Sequence, residues 1–186
     1  MLEIFKETGI LILQSLWLIF PAYSANSFAV IVGGGKPVDF GKKFFDGKRV
    51  FGDGKTWKGL IGGIVFGMSI GSIQTYSADS IAFPNFGFFP IFFLVLFCLT
   101  FGALFGDLCK SFVKRRLNIK RGEKFPVIDQ LDFVAGAFLF LIIFSPSWFL
   151  QTFTIYHIII ILVVTPLLHR IMNIAGYKIG KKKVPW

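Results

Sequence analysis

Three aspartates and a run of bases between residues 106 and 132 carry the clearest chemistry in this chain. Asp107, Asp129 and Asp132 lie close in sequence to Lys110, Lys114, Arg115, Arg116, Lys120, Arg121 and Lys124. Carboxylate oxygens are the ligands that hard divalent ions such as Mg²⁺ prefer, and clustered cations hold phosphate. In a helix over 106–116, Asp107, Ser111 and Lys114 stand at i, i+4 and i+7 and share one face. Asp129 and Asp132, at i and i+3, share a face at the start of the following helix, where the helix dipole tolerates carboxylates. Capping accounts for one aspartate in that position. The pair together with Asp107 reads as a site for one or two Mg²⁺ ions.

A second polar island precedes it. Residues 33–59 run Gly33-Gly-Gly-Lys-Pro-Val-Asp39, then Asp46-Gly-Lys-Arg49, then Gly52-Asp-Gly-Lys-Thr-Trp-Lys-Gly59. Lys55, Thr56 and, less directly, Lys58 present cations and a hydroxyl where the loop enters a helix, whose amino end favours an anion. A glycine-rich basic loop with no ligand is the plain alternative. A Walker A loop does not fit, because Arg49 occupies the position five residues before Gly54 and no strand precedes it. Asp46-Gly-Lys-Arg49 opens like a CDP-alcohol phosphotransferase signature, yet the later glycine and paired aspartates of that signature are absent.

The elements that must position these groups are apolar. Of 186 residues 54% are hydrophobic and 25 are Phe, with a mean hydropathy of +0.70. A bilayer-spanning helix takes about 20 apolar residues, and five segments qualify, near 9–32, 59–76, 88–105, 133–150 and 155–174. The expected fold is an all-α integral membrane protein of five transmembrane helices with two charged cytosolic loops. Residues 1–186 form one domain in this reading, since the spans leave no room for a separate soluble one. The acidic and basic residues Glu3, Lys6 and Glu7 do not make a signal-peptide n-region. Cys98 and Cys109 are too few for a disulfide framework.

Charge sets the orientation. Seven Lys or Arg fall in 33–58, seven in 106–128 and five from Arg170 onward, leaving only Lys6 elsewhere. With five spans all three stretches share one side, so the positive-inside bias places the amino terminus outside and the carboxyl terminus and both islands in the cytosol. The net charge of +10 is then a one-sided field attractive to lipid headgroups and nucleotides. Nucleic acid is an unsuitable partner, because no soluble recognition module exists to carry it. Gly59, Gly63, Gly67 and Gly71 form a four-residue ladder down one helix face, suited to close helix packing. Its partner is another helix of the chain or, in a homodimer, a second protomer. Asn26, just past Pro21, either packs between helices or faces the site.

Two stretches resemble a known family. Ser111-Phe-Val-Lys114-Arg115, with Lys120 five residues later and Asp129-Gln-Leu-Asp132 closing the island, is similar to the signature of the CTP:phosphatidate cytidylyltransferases, the CDP-diacylglycerol synthases. Lys55-Thr-Trp-Lys-Gly-Leu-Ile-Gly-Gly63 resembles that family's Lys-Thr-x-Glu-Gly-x-x-Gly-Gly stretch, with Lys58 in place of Glu. The bacterial pattern has Lys-Asp where this chain has Lys120-Arg121, a His-Gly-Gly that is absent here, and an Arg where Gln130-Leu131 stands. Those departures, the small size and Pro21-Ala-Tyr-Ser-Ala-Asn26 are similar to the archaeal branch, the CDP-archaeol synthases.

The resemblance implies cytidylyl transfer, in which the phosphate of an isoprenoid ether lipid attacks CTP, releases pyrophosphate and leaves a CDP-activated lipid in the membrane. It implies catalytic Asp107, Asp129, Asp132 and Lys114, the aspartates holding Mg²⁺. Nucleotide binding would fall to Lys55, Thr56, Lys58, Ser111, Lys114 and Arg115, with Asn26 as a further candidate. No general base is required, because a phosphate oxygen is already anionic; His157 and His169 are expected to pack or lie at the interface. A CTP-dependent polyprenol kinase is the alternative enzyme, and a small transporter the alternative without catalysis. Transport calls for ionisable groups near mid-bilayer, which the deep parts of the last three spans lack.

Overall fold

The computed structural model describes residues 2–119, 123, 125 and 127–178. Six helices follow one another: α1 (Leu2–Ile31), α2 (Trp57–Ile81), α3 (Ile91–Arg116), α4 (Ile128–Phe144), α5 (Pro146–Thr152) and α6 (Ile155–Lys178). The all-helical membrane fold expected from composition is the fold observed. Three helices, α1 to α3, are long and apolar enough to cross a bilayer, and a bent α4–α5 pair makes a fourth crossing if taken as one span. The apolar run of α6, Ile155–Ile171, is shorter. Lys120, Arg121 and Lys124, part of the second island's basic run, lie outside the described residues.

The expected continuous span over 133–150 is broken. The axis turns by 119° between α4 and α5, at Ser145, whose backbone is non-helical (φ −144, ψ 52). Pro146 is the first residue of α5. It has no N–H for the ladder and disfavours helical conformation at the residue before it, so one helix ends and another begins. Phe149 and Phe153 then fold back onto Phe138, with centroids at 5.5 and 5.2 Å.

The glycine ladder is filled within the chain. A Cβ at Gly63 would lie 2.7 Å from the Ala25 carbonyl of α1, and one at Gly67 2.6 Å from Thr100 Cγ2 of α3 and 2.7 Å from the Pro21 carbonyl. Only glycine admits backbones this close, so α2 sits in the groove between α1 and α3. A second ladder joins α3 to α4, where Gly102, Gly106 and Gly136 leave no space for any side chain between the two backbones. Pro21 adds a specific bond. Inside α1 it cannot donate to the Trp17 carbonyl, and Gln74 Nε2 of α2 donates there instead, at 3.0 Å. Tyr23 and Thr165, 2.6 Å apart through their hydroxyls, tie α1 to α6.

The helices that make the site therefore gather at one end of the bundle: the carboxyl ends of α1 and α3 and the amino ends of α2 and α4. Charged loops close that end, and apolar side chains fill the rest. The core runs through Leu18, Ile19, Leu96, Leu99, Val134 and Leu141, all fully buried.

Candidate active site at the charged end of the bundle

The first island is a loop built around one carboxylate. Asp39 is buried and accepts hydrogen bonds from the backbone N–H groups of Gly41 (3.0 Å), Phe51 (3.0 Å) and Gly52 (2.9 Å). Arg49 adds two more, Nη2 to Oδ1 at 2.7 Å and Nε to Oδ2 at 3.3 Å, and reaches Asp53 with Nη1 at 2.5 Å. Burial pushes the Asp39 carboxyl up, but Arg49 and the three backbone donors outweigh it and hold the group well below the usual carboxylate range. Its partners Asp39 and Asp53 in turn raise the Arg49 guanidinium above its ordinary value.

This loop is sewn to the second island. Arg116 Nη2 donates to the Arg49 carbonyl at 2.5 Å, and Arg116 Nε pairs with Asp46 Oδ2 at 3.0 Å. Lys48 Nζ donates to the Arg116 carbonyl at 2.9 Å, placing a cation on the negative end of α3. The Arg116 guanidinium lies over the rings of Phe44 and Phe112, 5.0 and 4.6 Å from their centroids. The two islands, remote in sequence, thus share one wall.

Between them lies a cavity of about 820 Å³. Among its lining residues are Asn26, Lys55, Thr56, Asp107, Ser111, Lys114, Arg115 and Asp129, eight of the ten residues singled out in the sequence. Lys58 is not brought there: it is exposed on the first turn of α2 and does not line the cavity. Asp132 stands on the far side, lining a smaller groove between α3 and α4. Neither His157 nor His169 lines either space.

Thr56 is the N-cap of α2. Its Oγ1 accepts from the N–H of Gly59 and of Gly34, both at 3.2 Å, which fixes the glycine run of the first island to the helix start. Ser111 Oγ donates back to the Asp107 carbonyl at 2.9 Å. Neither aspartate caps α4: its N-cap is Val127, at φ 65, with no side-chain capping bond. Asp129 instead accepts from the N–H of Phe125 at 2.8 Å and from Lys114 Nζ at 3.1 Å to each oxygen. Arg115 lines the cavity with its Nε buried and, among the described residues, without a hydrogen-bond partner.

Sequence reasoning passed over Lys110, counted only as one base among seven. Its ammonium stands amid the three aspartates, 2.9 Å from Asp107, 3.0 Å from Asp132 and 3.8 Å from Asp129. Lys55 reaches the other oxygen of Asp107 from the first island. The signal was available, since Lys110 is three residues after Asp107 and so lies on its helix face. Asp39 and Arg49, which shape the loop, were named in the first island without a role; Gly41 two residues after Asp39 is the mark of a local turn of this type.

The three carboxylates are spaced around an ammonium. Among the described residues no three His, Cys, Asp or Glu side chains stand close enough to hold an ion on their own. Their carboxylate oxygens are of the type a hard cation takes, and Asp132 Oδ1 is buried without a hydrogen-bond partner among the described residues, but an ion would have to displace the Lys110 ammonium from among them.

Comparison with known proteins gives the family. The sequence model of the CarS-like CDP-archaeol synthases matches residues 9–186. A CDP-archaeol synthase of Methanospirillum hungatei is 49% identical over 168 residues, covering 90% of this chain and all of that one. One of Archaeoglobus fulgidus is 45% identical over 179 residues, 95% of this chain and 98% of that one. A solved intramembrane enzyme for archaeal membrane lipid biosynthesis superposes with a TM-score of 0.72 at 34% identity, covering 88% of this chain and 94% of that structure. Two charged islands closing one cavity at a membrane bundle's end, on a sequence matched nearly end to end, place the chain in the CDP-archaeol synthase family.

Proposed function

We propose that this chain transfers the cytidylyl group of CTP to the phosphate of an unsaturated isoprenoid diether lipid, giving CDP-archaeol and pyrophosphate. The observation that carries the reading is the single cavity in which Lys55 of the first island and Asp107, Lys110 and Lys114 of the second converge. A lipid phosphate oxygen forms a bond to the α-phosphorus of CTP. The bond from that phosphorus to the oxygen bridging to the β-phosphate breaks, and pyrophosphate leaves with the electron pair. Both reactants are polyanions, so the task of the site is to suppress their repulsion and to stabilise charge on the leaving group.

Lys55, Lys114 and Arg115 are suited to the triphosphate. Lys55 and Lys114 are already held against carboxylates, and an incoming phosphate exchanges one anionic partner for another. Asn26, half-buried on α1, provides polar contact at the cavity floor. Asp107, Asp129 and Asp132 are the residues that would hold Mg²⁺, which supplies Lewis-acid charge stabilisation when bound. No residue needs to remove a proton, in keeping with histidines that lie elsewhere.

In the membrane, five crossings with the amino terminus outside put every basic stretch and both islands in the cytosol, where CTP is found. The bent α4–α5 pair and the shorter α6 are then the fourth and fifth crossings.

The test is incubation of the purified protein with labelled CTP, Mg²⁺ and alternative lipid phosphates or alcohols, with both products identified. Pyrophosphate and a CDP-lipid are the expected pair. Release of CDP with a newly phosphorylated lipid would replace this reading with a CTP-dependent kinase.

A further inference from the structure

The cavity uses only the inner side of the first island. Residues 36–38 run beside 55–57, with the Val38 N–H donating to the Lys55 carbonyl at 2.8 Å and the Trp57 N–H to the Lys36 carbonyl at 3.1 Å. Residues 42–50 double back as a hairpin, in which the Phe44 N–H donates to the Lys48 carbonyl at 2.8 Å and Gly47, at φ 75, closes the turn onto the Phe44 carbonyl. This path brings aromatic rings to the outside. Phe40 tilts against Trp57, the first residue of α2, with centroids 6.1 Å apart. Phe44 packs edge-on against Phe112 of α3 at 5.2 Å, and Phe45, beside it in the turn, is 100% exposed. Turns of this kind favour Gly, Asn, Asp or Ser, so a bare Phe there is unfavourable in water, and its edge contact with Phe44 leaves the ring uncovered.

Charge and depth point the same way. The acids of this loop are paired, Asp39 and Asp53 with Arg49 and Asp46 with Arg116. Lys36, Lys42, Lys43 and Lys58 are exposed, and neither they nor the exposed aromatics Phe40, Phe45 and Trp57 line the cavity. Trp57 opens α2 and Phe112 lies one turn before the end of α3, both long and apolar enough to cross a bilayer. The rings of Phe40 and Phe44 pack on these helix ends, at the level where spans meet lipid headgroups.

We propose that the outer face of the first island docks onto the bilayer surface, with Phe45 entering the headgroup region of the adjoining leaflet and Lys36, Lys42, Lys43 and Lys58 binding the phosphates of anionic lipids there. The occupant follows from charge complementarity and from continuity with the membrane that α2 and α3 cross. Apolar rings set among lysines are the composition that lies in an anionic interface. A soluble acidic partner would satisfy the lysines, but the placement of the rings at the span ends selects lipid. The opposite side of the same loop presents Arg49 and Lys55 to the cavity. Docking therefore steadies one wall of the site against the membrane and ties its order to the charge of the surrounding lipid. The inference rests on the membrane fold and stands apart from the identity of the reaction.

The test uses the full-length chain, one copy per nanodisc, carrying Phe45→Cys in a Cys109→Ser background; Cys98 is buried. Phe45 is wholly exposed, so its replacement leaves the core untouched. An NBD label on that cysteine is expected to be quenched by a lipid-borne nitroxide and shielded from aqueous iodide, as is a label at Val65→Cys on the exposed face of α2. A label reached by iodide and not by the nitroxide would place Phe45 in water, as a soluble partner's surface requires, and overturn the proposal. Unlabelled protein gives a second readout. Hydrogen exchange over residues 40–50 should be about threefold or more slower in phosphatidylglycerol discs than in phosphatidylcholine discs. Phe45→Ser, or Lys42→Gln with Lys43→Gln, should abolish that difference while exchange within α2 stays unchanged. Equal exchange in the two bilayers would overturn the proposal, as would protection that appears only when two copies share a disc, which would assign the face to a second protomer.

Discussion

The two charged islands have the same ingredients and use them differently. Each mixes bases with aspartates, but in the first the central carboxylate, Asp39, is held by three backbone N–H groups and one guanidinium. In the second, Asp107, Asp129 and Asp132 are held chiefly by the ammonium groups of Lys55, Lys110 and Lys114. A carboxylate saturated by backbone donors fixes a loop shape and has no capacity left for a ligand. One paired with flexible lysines can exchange those partners for a metal ion or surrender them to a phosphate. Residue types alone do not separate scaffold from chemistry; the partners of each charge do.

The sharpest break in that comparison is Asp107→Asn. It removes charge from the exchangeable cluster without changing shape, and a lost electrostatic contribution of about 3 kcal/mol lowers turnover at least a hundredfold. Asp129→Asn and Asp132→Asn should follow, each with helicity and thermal midpoint in detergent retained. Near-normal activity in all three at saturating Mg²⁺ would place them with Asp39 as structural groups.

Asp39→Ala should act in the opposite sense. Leaving Arg49 and three N–H groups unpaired costs the loop about 2 kcal/mol, so limited proteolysis within 40–53 should accelerate before the helices melt. Activity should fall through CTP affinity rather than kcat. A collapse of kcat at unchanged CTP affinity would move Asp39 into the chemistry.

Lys55→Ala should weaken CTP binding about tenfold by calorimetry, equivalent to about 1.4 kcal/mol. Lys58→Ala, three residues on and outside the cavity, should stay within twofold. Equal effects would show that the first island acts by its overall field and not by a directed contact.

The smallest effect is in pH. The folded pKa of Asp39 lies below its unfolded value of about 3.9. Its contribution to loop stability is therefore complete above that unfolded value and is lost only as pH falls through the lower folded one. The fluorescence of Trp57, taken as the difference from Trp57→Phe, should stay flat from neutrality to about pH 4 and change below it. An Asp39→Asn variant should lack that acid transition.

Much of the site was legible beforehand because membrane chains keep charge out of hydrocarbon. The islands stood out against Phe-rich spans, and the spacing of Asp107, Ser111 and Lys114 on one helix face came true in α3, which extends to Arg116. The break at Ser145-Pro146 was less legible: a proline in an apolar run is compatible with a kinked span or with a helix start, and packing of Phe149 and Phe153 on Phe138 accompanies the second. Lys58 misled for a related reason. Sequence placed it beside Lys55, but one helical turn points successive residues in different directions.

The sequence by itself determined the class, the two islands, the family signature and the glycine ladder of α2, because hydropathy, charge and spacing are local properties of the chain. Tertiary structure alone decided which charge meets which. Lys110 became the hub of three aspartates because glycines at 102, 106 and 136 let α4 lie directly on α3, and Asp39 became a scaffold because its loop folds around it. Such pairings depend on distances of a few ångströms between residues far apart in sequence, and Coulomb and hydrogen-bond energies fall off too steeply for composition to reveal them.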